Sequence, residues 1–381
     1  MLGERVCWKW FGIRNKVKPI MLLTRFRGWL LAGLLLTGAS PVHAQHDHRV
    51  NPPGVSGDHQ PMFFDHAELS EYGTANRAKT GFFFQYDKLI WNFSSPQRSD
   101  IGDEAAQQFV VGAPLLNNLD NSFIQDDWVQ GNRYEAGYVD DDHGFLASIA
   151  RARRYHQGIT GDDFDVVFTD PLDVDGGGND VELFTFNSAI IENFTEFTTI
   201  ELMHVTRWDP LHFGGTVEWL VGLRFANLSD TFTFDGDLGN GLDFQNKINN
   251  YLVGPQVGIR GNRQIGHWRF GGEARVMAAI NFQHARLDGN ITGAPSFSSI
   301  NFDRSVTDEE WAPLGEIRLD ISYQLTNAIS LRLGYTGIAM GGIGRASRRV
   351  VYTLPTLEIA DGNKSDAFYI NGINFGVEIN R

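Results

Sequence analysis

From Gly81 onward, stretches of period-two alternation recur, and each is followed by a turn or a connection. In 314–325 (LGEIRLDISYQL), Glu316, Arg318, Asp320, Ser322 and Gln324 take one face, and Ile317, Leu319, Ile321, Tyr323 and Leu325 the other. The same division recurs in 213–227, where Phe213, Val217, Trp219, Val221, Leu223 and Phe225 oppose Thr216, Glu218, Gly222 and Arg224. It recurs again in 250–260, 267–283, 328–339 and 367–379, and less cleanly in 80–92, 131–139, 144–156 and 194–207. Strict alternation predicts β-strands with one apolar and one polar face. Stretches of about 10 to 15 residues outrun the usual strand of five or six and match a tilted crossing of a bilayer.

The connections alternate in length. Four are short (140–143, 208–212, 261–266 and 326–327) and five are long (93–130, 157–193, 228–249, 284–311 and 340–366). Short turns on one side and long loops on the other are the habit of an outer-membrane barrel. The predicted fold is therefore all-β, an antiparallel up-and-down transmembrane β-barrel of 10–12 strands. The count is ten if 157–193 is a single loop, and twelve if that loop hides a hairpin, for which 163–169 and 181–187 are weak candidate strands. Hydrocarbon would meet the apolar face, and the lumen would hold the charges.

The start of the chain carries an export pattern. Seven bases precede the apolar run GWLLAGLLLTGAS, and Val42 and Ala44 are small residues where a signal peptidase reads. Residues 1–44 are predicted to be a signal peptide cleaved after Ala44; Met21 also fits as the initiator. Residues 45–79, polar and broken by Pro52, Pro53 and Pro61, are predicted to be a mobile segment, and 80–381 the barrel. The single cysteine, Cys7, falls in the cleaved part, so the mature chain has no disulfide and no thiolate metal ligand. Cleavage leaves 25 of the 32 bases and 45 of the 46 acids, a net charge near −20. Nucleic acid is excluded as a partner on that charge, and cations are favoured.

The candidate lumen charges are Glu201, Arg207, Glu218, Arg224, Arg260, Glu273, Arg275, Glu316, Arg318, Asp320, Arg332 and Glu378. They either line an aqueous path and tune its selectivity, or pair in a closed network that fills a narrow barrel. Trp91, Trp128, Trp208, Trp268 and Trp311 lie near predicted strand ends and would form an aromatic girdle. Acidic stretches at 162–182 and 235–246 offer Asp170, Asp173, Asp175 and Asp180 as hard oxygen ligands for weak calcium binding, against the plainer reading of a solvated acidic loop. No other cofactor is implied. There is no G-x-S-x-G, H-E-x-x-H or P-loop, so no catalytic residue is assigned. His284 with Ser296, Ser298 or Ser299 is the sparse alternative for a barrel-borne hydrolase.

Several segments together resemble a known family: VEWLVGLRFANLSDTFTF (217–234), NNYLVGPQVGIRG (249–261), GEIRLDISYQLTNAISLRLGYTGI (315–338) followed by GRAS (344–347), and FYINGINFGVEI (368–379). GNRYEAGYVDDDHGFLASI (131–149) adds to the likeness. The chain resembles the beta-barrel porin-7 family, typical of planctomycete outer membranes and related to the major outer-membrane protein type. The resemblance implies an outer-membrane barrel with porin-like transport of small hydrophilic solutes or cations. A closed-lumen structural or surface-binding barrel acting through its acidic outer loops is the alternative. The partners implied are outer-membrane lipid, small solutes or ions, the barrel assembly machinery and, as an open option, further copies of the chain. Many such barrels end on an aromatic residue; this chain ends Asn380–Arg381, which leaves Phe375 and Ile379 as candidates for the assembly signal.

Overall fold

The computed structural model describes residues 81–103, 119–170, 180–208, 215–237, 241–292, 299–360 and 365–380. The proposed signal peptide and polar segment lie outside them. The strands are β1 (Gly81–Phe93), β2 (Asp127–Val139), β3 (His143–Gly161), β4 (Phe164–Asp170), β5 (Asp180–Phe186), β6 (Ser188–Arg207), β7 (Gly215–Asp237) and β8 (Leu242–Ile265). They continue with β9 (Trp268–Met277), β10 (Ile280–Thr292), β11 (Ser299–Trp311), β12 (Leu314–Gln324), β13 (Ile329–Gly344), β14 (Val350–Val351), β15 (Glu358–Ile359) and β16 (Ser365–Asn380).

Ten of these strands close an antiparallel ring in the order β1-β2-β3-β6-β7-β8-β9-β12-β13-β16, and β16 pairs back onto β1. The connection 157–193 does hide a hairpin, β4–β5, but it forms a separate two-stranded sheet and does not enter the wall. The count is therefore ten and not the twelve expected for a hidden hairpin. No helix among the described residues is long and apolar enough to cross a membrane. The crossing is made by strands, in which every backbone polar group can be paired around a closed ring.

Burial is inverted in one half of the barrel. In β7, Trp219, Val221 and Leu223 are exposed, while Glu218 and Arg224 are buried. The same holds for Ile317, Leu319 and Ile321 against Glu316 and Arg318 in β12. That arrangement suits a lipid solvent outside and a polar interior.

Along the same strands the sense then reverses. In β7 the apolar residues leave the odd, outward positions after Phe225 and continue inward at Ala226, Leu228, Phe232 and Phe234. In β10, Ile280 faces out and Ala285, Leu287 and Ile291 face in, with His284 and Arg286 outside. Beyond this reversal the wall has a wet outside and an apolar core, like a soluble β-protein. The strands therefore continue past the bilayer. Most of 228–249 and 284–311 is paired ribbon rather than loop.

The reversal also explains why alternation failed to extend the strands from sequence. The turn predicted at 261–266 is tighter than expected: β8 runs to Ile265, which pairs with Trp268 of β9.

One stretch turns away from the wall. Above the Leu314–Met340 pair, β13 loses β12 and, after a bulge between Met340 and Ile343, keeps only β16 as its partner, through Gly344. Gly342 there has φ +66°, and a Cβ would sit 2.6 Å from the Trp311 carbonyl oxygen, so only glycine makes this turn. The chain from Gly341 to Ile359, including β14 and β15, folds into the barrel.

Candidate functional site: the filled lumen

The interior is stratified from the end with the short turns and the described chain ends toward the end with the long connections. In an outer-membrane barrel these are the periplasmic and outer ends.

The first layer is ionic. All twelve candidate lumen charges point inward, and Asp87, Arg133, Glu135 and Arg269 join them. Eight carboxylates face eight guanidiniums, each with an opposite charge in reach.

Arg133 donates from Nε and Nη2 to Asp87 at 2.9 and 2.6 Å, and Arg207 does the same to Glu218 at 2.9 and 2.8 Å. Glu201 lies at the centre. It accepts from Arg275, from Arg318 Nη2 at 3.1 Å and from Gln256 Nε2 at 3.1 Å, with Arg224 3.8 Å away. Arg224 donates to Glu316 at 2.5 Å, and Arg318 bonds to both Glu316 and Glu135.

Neighbouring strands supply opposite charges in register: Glu201 faces Arg224, and Glu316 faces Arg275. Of the four charges added to the predicted set, Asp87, Arg133 and Glu135 sit where the alternation was weaker, whereas Arg269 lies on the polar face of the clean stretch 267–283. Arg133 and Glu135 do oppose Tyr134 and Tyr138, a signal that was present. Asp87 lies in a strand whose two faces are both largely apolar.

At the periplasmic mouth this layer encloses a cavity of about 100 Å³. Arg269, Arg332, Asp320, Glu378, Asn262 and Asn380 line it among others.

The second layer is apolar and crosses the lumen. Leu89, Trp91, Phe93, Val129, Phe197, Leu228, Leu252, Met277, Ile338, Met340, Phe368 and Ile370 are buried together. The Trp91 and Phe197 rings lie 6.2 Å apart, and Phe93 and Phe368 meet edge-on at 5.4 Å.

Trp91 is thus a correction to the predicted girdle. It is 1% exposed and points inward, because β1 alternates with Leu89, Trp91 and Phe93 on the inner face. Trp128, Trp208, Trp268 and Trp311 are exposed on the outer surface.

The third layer holds the inward segment. Asn281 Nδ2 and Gln283 Nε2 donate to the Gly342 carbonyl at 2.8 and 3.0 Å. The Asn250 amide exchanges two bonds with the Gly344 backbone, at 2.8 and 2.9 Å, as a neighbouring strand would.

Asp230, fully buried, accepts from Arg345 Nε at 3.1 Å and the Ala346 N–H at 2.9 Å through one oxygen. Its other oxygen accepts from Thr195 at 2.9 Å and Asn193 at 3.2 Å. Asn246 Nδ2 donates to the Ala346 carbonyl at 2.7 Å. GRAS (344–347), singled out from sequence only for its resemblance, is the stretch clamped here.

The fourth layer is a second apolar core. Phe232, Phe234 and Phe244 from the wall pack with Val350, Tyr352, Leu354 and Leu357 of the inward segment and with Val166, Phe168 and Phe186 of the β4–β5 hairpin. The Thr169 N–H donates to the Tyr352 carbonyl, and the Leu354 N–H to the Thr169 carbonyl. The β4–β5 hairpin therefore pairs with the inward segment. Burial pushes the Tyr352 hydroxyl far above its usual pKa.

The remaining expectations fall as follows. Of the long connection 93–130, residues 104–118 lie outside the described residues; Leu119 is buried in the outer core. Asp173 and Asp175 lie outside them too, and the Asp170 and Asp180 backbones pair at the end of the β4–β5 hairpin. Among the described residues no three His, Cys, Asp or Glu gather as a metal site.

In the other acidic stretch, Asp235 and Asp243 face each other across a ribbon. Burial, then the Asp235 carboxylate, holds the Asp243 pKa above its usual value. Ser296 and Ser298 lie outside the described residues. His284 pairs with Thr307, whereas Ser299 pairs with Thr292, eight residues up the ribbon. That separation is about 27 Å at strand rise, so this pair is not brought together.

Beyond the apolar band, Tyr155 donates to Asp127. Burial first, then this bond to a carboxylate, pushes Tyr155 up to about 12. The bond favours the protonated phenol, so its stabilisation is complete below the usual tyrosine pKa of about 10 and is lost as pH rises through about 12. Ultraviolet difference titration of wild type against Tyr155→Phe is expected to show that the phenol lost in the variant ionises well above the usual tyrosine range. An ordinary pKa for that phenol would refute the contact.

A closed ten-stranded ring with an apolar exterior band and charged interior defines an outer-membrane β-barrel. Residues 97–380 match the description of beta barrel porin-7 (BBP7), and the chain belongs to that family. No curated protein matches the sequence.

Among solved structures, the chain is similar to the outer membrane protease OmpT from Escherichia coli, at 9% identity over 82% of this chain and 99% of that one, with a TM-score of 0.35. It is similar to a deletion mutant of the monoaromatic hydrocarbon channel TodX of P. putida, at 9% identity over 82% and 93%, TM-score 0.24. It is also similar to the Ralstonia pickettii toluene transporter TbuX, at 9% identity over 80% and 90%, TM-score 0.21. Likenesses this weak carry no argument about substrate or mechanism.

Proposed function

We propose that this porin-like barrel is closed along its length and serves as a structural or surface-binding element of the outer membrane, without catalysis. The observation that carries this reading is the apolar layer around Trp91, Phe197 and Phe368, with the GRAS segment clamped above it. A hydrated ion cannot cross a layer of packed apolar side chains without losing its water. The ionic layer beneath is balanced and mutually paired, so it offers little free charge to select ions.

Trp128, Trp208, Trp268 and Trp311 anchor the barrel at the headgroups in this reading. Export by a signal cleaved after Ala44, and insertion by the assembly machinery reading Phe375 and Ile379, belong to it as well.

A second reading is a gated channel for small hydrophilic solutes or cations, opened by withdrawal of the inward segment. The charged periplasmic cavity favours it, since a vestibule of about 100 Å³ has room for a small polar solute.

Planar-bilayer recording separates the two. Refolded protein, first shown to be a barrel by heat-modifiable migration, is expected to give no discrete conductance steps. Steps in the unmodified protein, with a cation-signed reversal potential in a salt gradient, would overturn the closed reading in favour of the channel.

A further inference from the structure

We propose that the outward face of β1–β3 binds the phosphate-bearing headgroup of a glycolipid in the outer leaflet. The inference starts from register. Lys88 of β1 faces Asn132 of β2, and Asn132 faces Arg151 of β3. All three side chains point outward, in one row, with Lys88 and Arg151 about 10 Å apart across two strand spacings.

The row directly below, toward the bilayer, is Tyr86, Tyr134 and Ile149, the upper edge of the apolar band. These polar groups therefore sit where acyl chains give way to headgroups.

The donors are placed for an anion. Tyr86 Oη donates to Asn132 Oδ1 at 3.0 Å, which turns the Asn132 NH₂ outward as a donor. Lys88 has no acidic partner among the described residues. Arg151 pairs with Glu196 at 2.6 Å, but Arg151 is exposed and Glu196 partly so, and the pair is weak and exchangeable. Next to Arg151, the β3 bulge between Ala152 and Tyr155 turns both Arg153 and Arg154 outward. Arg154 lies 3.9 Å over the Phe194 ring, and Arg153 is open.

The setting makes this cluster distinctive. In a chain rich in acids, the outward positions above the band on β16, β1 and β2 carry none: Tyr369, Asn371, Ile90, Asn92, Trp128 and Gln130. On the opposite wall Arg286 is consumed by Asp303 at 3.0 Å and Asp288 at 3.7 Å.

A ligand that presents phosphates at the headgroup plane while leaving its chains against Tyr86, Tyr134 and Ile149 satisfies both rows. A soluble anion would use only the upper one. The proposal is independent of whether the lumen is open.

The test titrates the detergent-solubilised barrel with bis-phosphorylated lipid A, with its dephosphorylated form, and with inorganic phosphate, and follows thermal unfolding. The phosphorylated lipid alone is expected to bind and raise the melting temperature. Lys88→Gln, Arg151→Gln and Arg153→Gln are each expected to weaken binding about fivefold, and together about a hundredfold. Lys88→Arg should retain it.

Equal binding of the dephosphorylated lipid, or an undiminished affinity in the triple variant, would overturn the proposal. So would the same stabilisation by inorganic phosphate, which would mark a free-anion site. The comparison of the two lipids on unmodified protein decides the matter even if the triple variant refolds poorly.

Discussion

Glu201→Ala is expected to destabilise the barrel by about 3–5 kcal/mol, the cost of leaving buried charge without its partner. Glu201 is 1% exposed, and three arginines converge on it: Arg275, Arg318 and Arg224. Removing the carboxylate strands that positive charge where Arg224 and Arg275 are fully buried, away from the periplasmic cavity. Gln256 also loses its acceptor.

The size of the effect separates a dry lumen from a wet one. In an aqueous channel the same pair would behave like a surface ion pair, worth about 1 kcal/mol or less. Urea unfolding in detergent micelles, followed by heat-modifiable migration, measures the difference. The double variant Glu201→Met with Arg275→Met should recover much of the loss, because a neutral apolar pair restores balance. A Glu201→Ala midpoint close to wild type would mean that water reaches the network and that the interior is hydrated.

Much of this arrangement was legible in the sequence, and the rest failed for specific reasons. Glu316, Arg318 and Asp320 could be assigned to the inside because Ile317, Leu319 and Ile321 needed lipid on the other face. One face had a single solvent and the other a different one, so period two carried the information.

Trp91 defeated the same logic. Both faces of β1 are apolar there, one against lipid and one against the interior layer, and alternation cannot rank two apolar faces. The strand ends were lost where the outside changes from hydrocarbon to water. Leu228, Phe232 and Phe234 continue the strand with the sense reversed, and a reading that expects constant sense treats the reversal as an end.

That phase shift is itself readable: apolar residues move from odd to even numbers between Phe225 and Leu228. It marks the bilayer edge from sequence alone. The inward segment had no such signal. Gly341–Gly342 hinted at a turn, but only the partners of Asp230, Asn246 and Asn250 reveal which way the chain goes.

Those partners lead to the second large effect. Asp230→Ala is expected to release the inward segment toward the outer surface. One carboxylate holds the Arg345 guanidinium, the Ala346 N–H, Thr195 and Asn193, all inside the barrel. Without it a buried arginine has no counter-charge, at a cost of about 3–5 kcal/mol, and a backbone donor loses its acceptor as well.

The segment can avoid that cost only by leaving, because Arg345 can then be hydrated. The rest of its clamp begins with the Arg348–Asp366 and Arg349–Asp308 ion pairs at 2.7 and 3.0 Å, which hydration can replace once the segment leaves. It is completed by the backbone bonds to Thr169 and by neutral amide bonds from Asn246, Asn250, Asn281 and Gln283, each contributing about 1 kcal/mol. The wall does not depend on it, since β13 is already paired with β12 and β16 below Met340. Local release without loss of the barrel is the expected outcome.

Trypsin reads it directly. Arg345, Arg348 and Arg349 should resist cleavage in the folded wild type and be cut in Asp230→Ala, with the barrel still heat-modifiable. Asp230→Asn, which keeps an acceptor for Ala346 but not the charge, should fall between. Equal resistance in wild type and Asp230→Ala would show that the apolar packing of Val350, Tyr352, Leu354 and Leu357, with the Arg348–Asp366 and Arg349–Asp308 pairs, holds the segment without Asp230. Cleavage without any conductance would locate the remaining barrier in the layer below, at Trp91, Phe197 and Phe368.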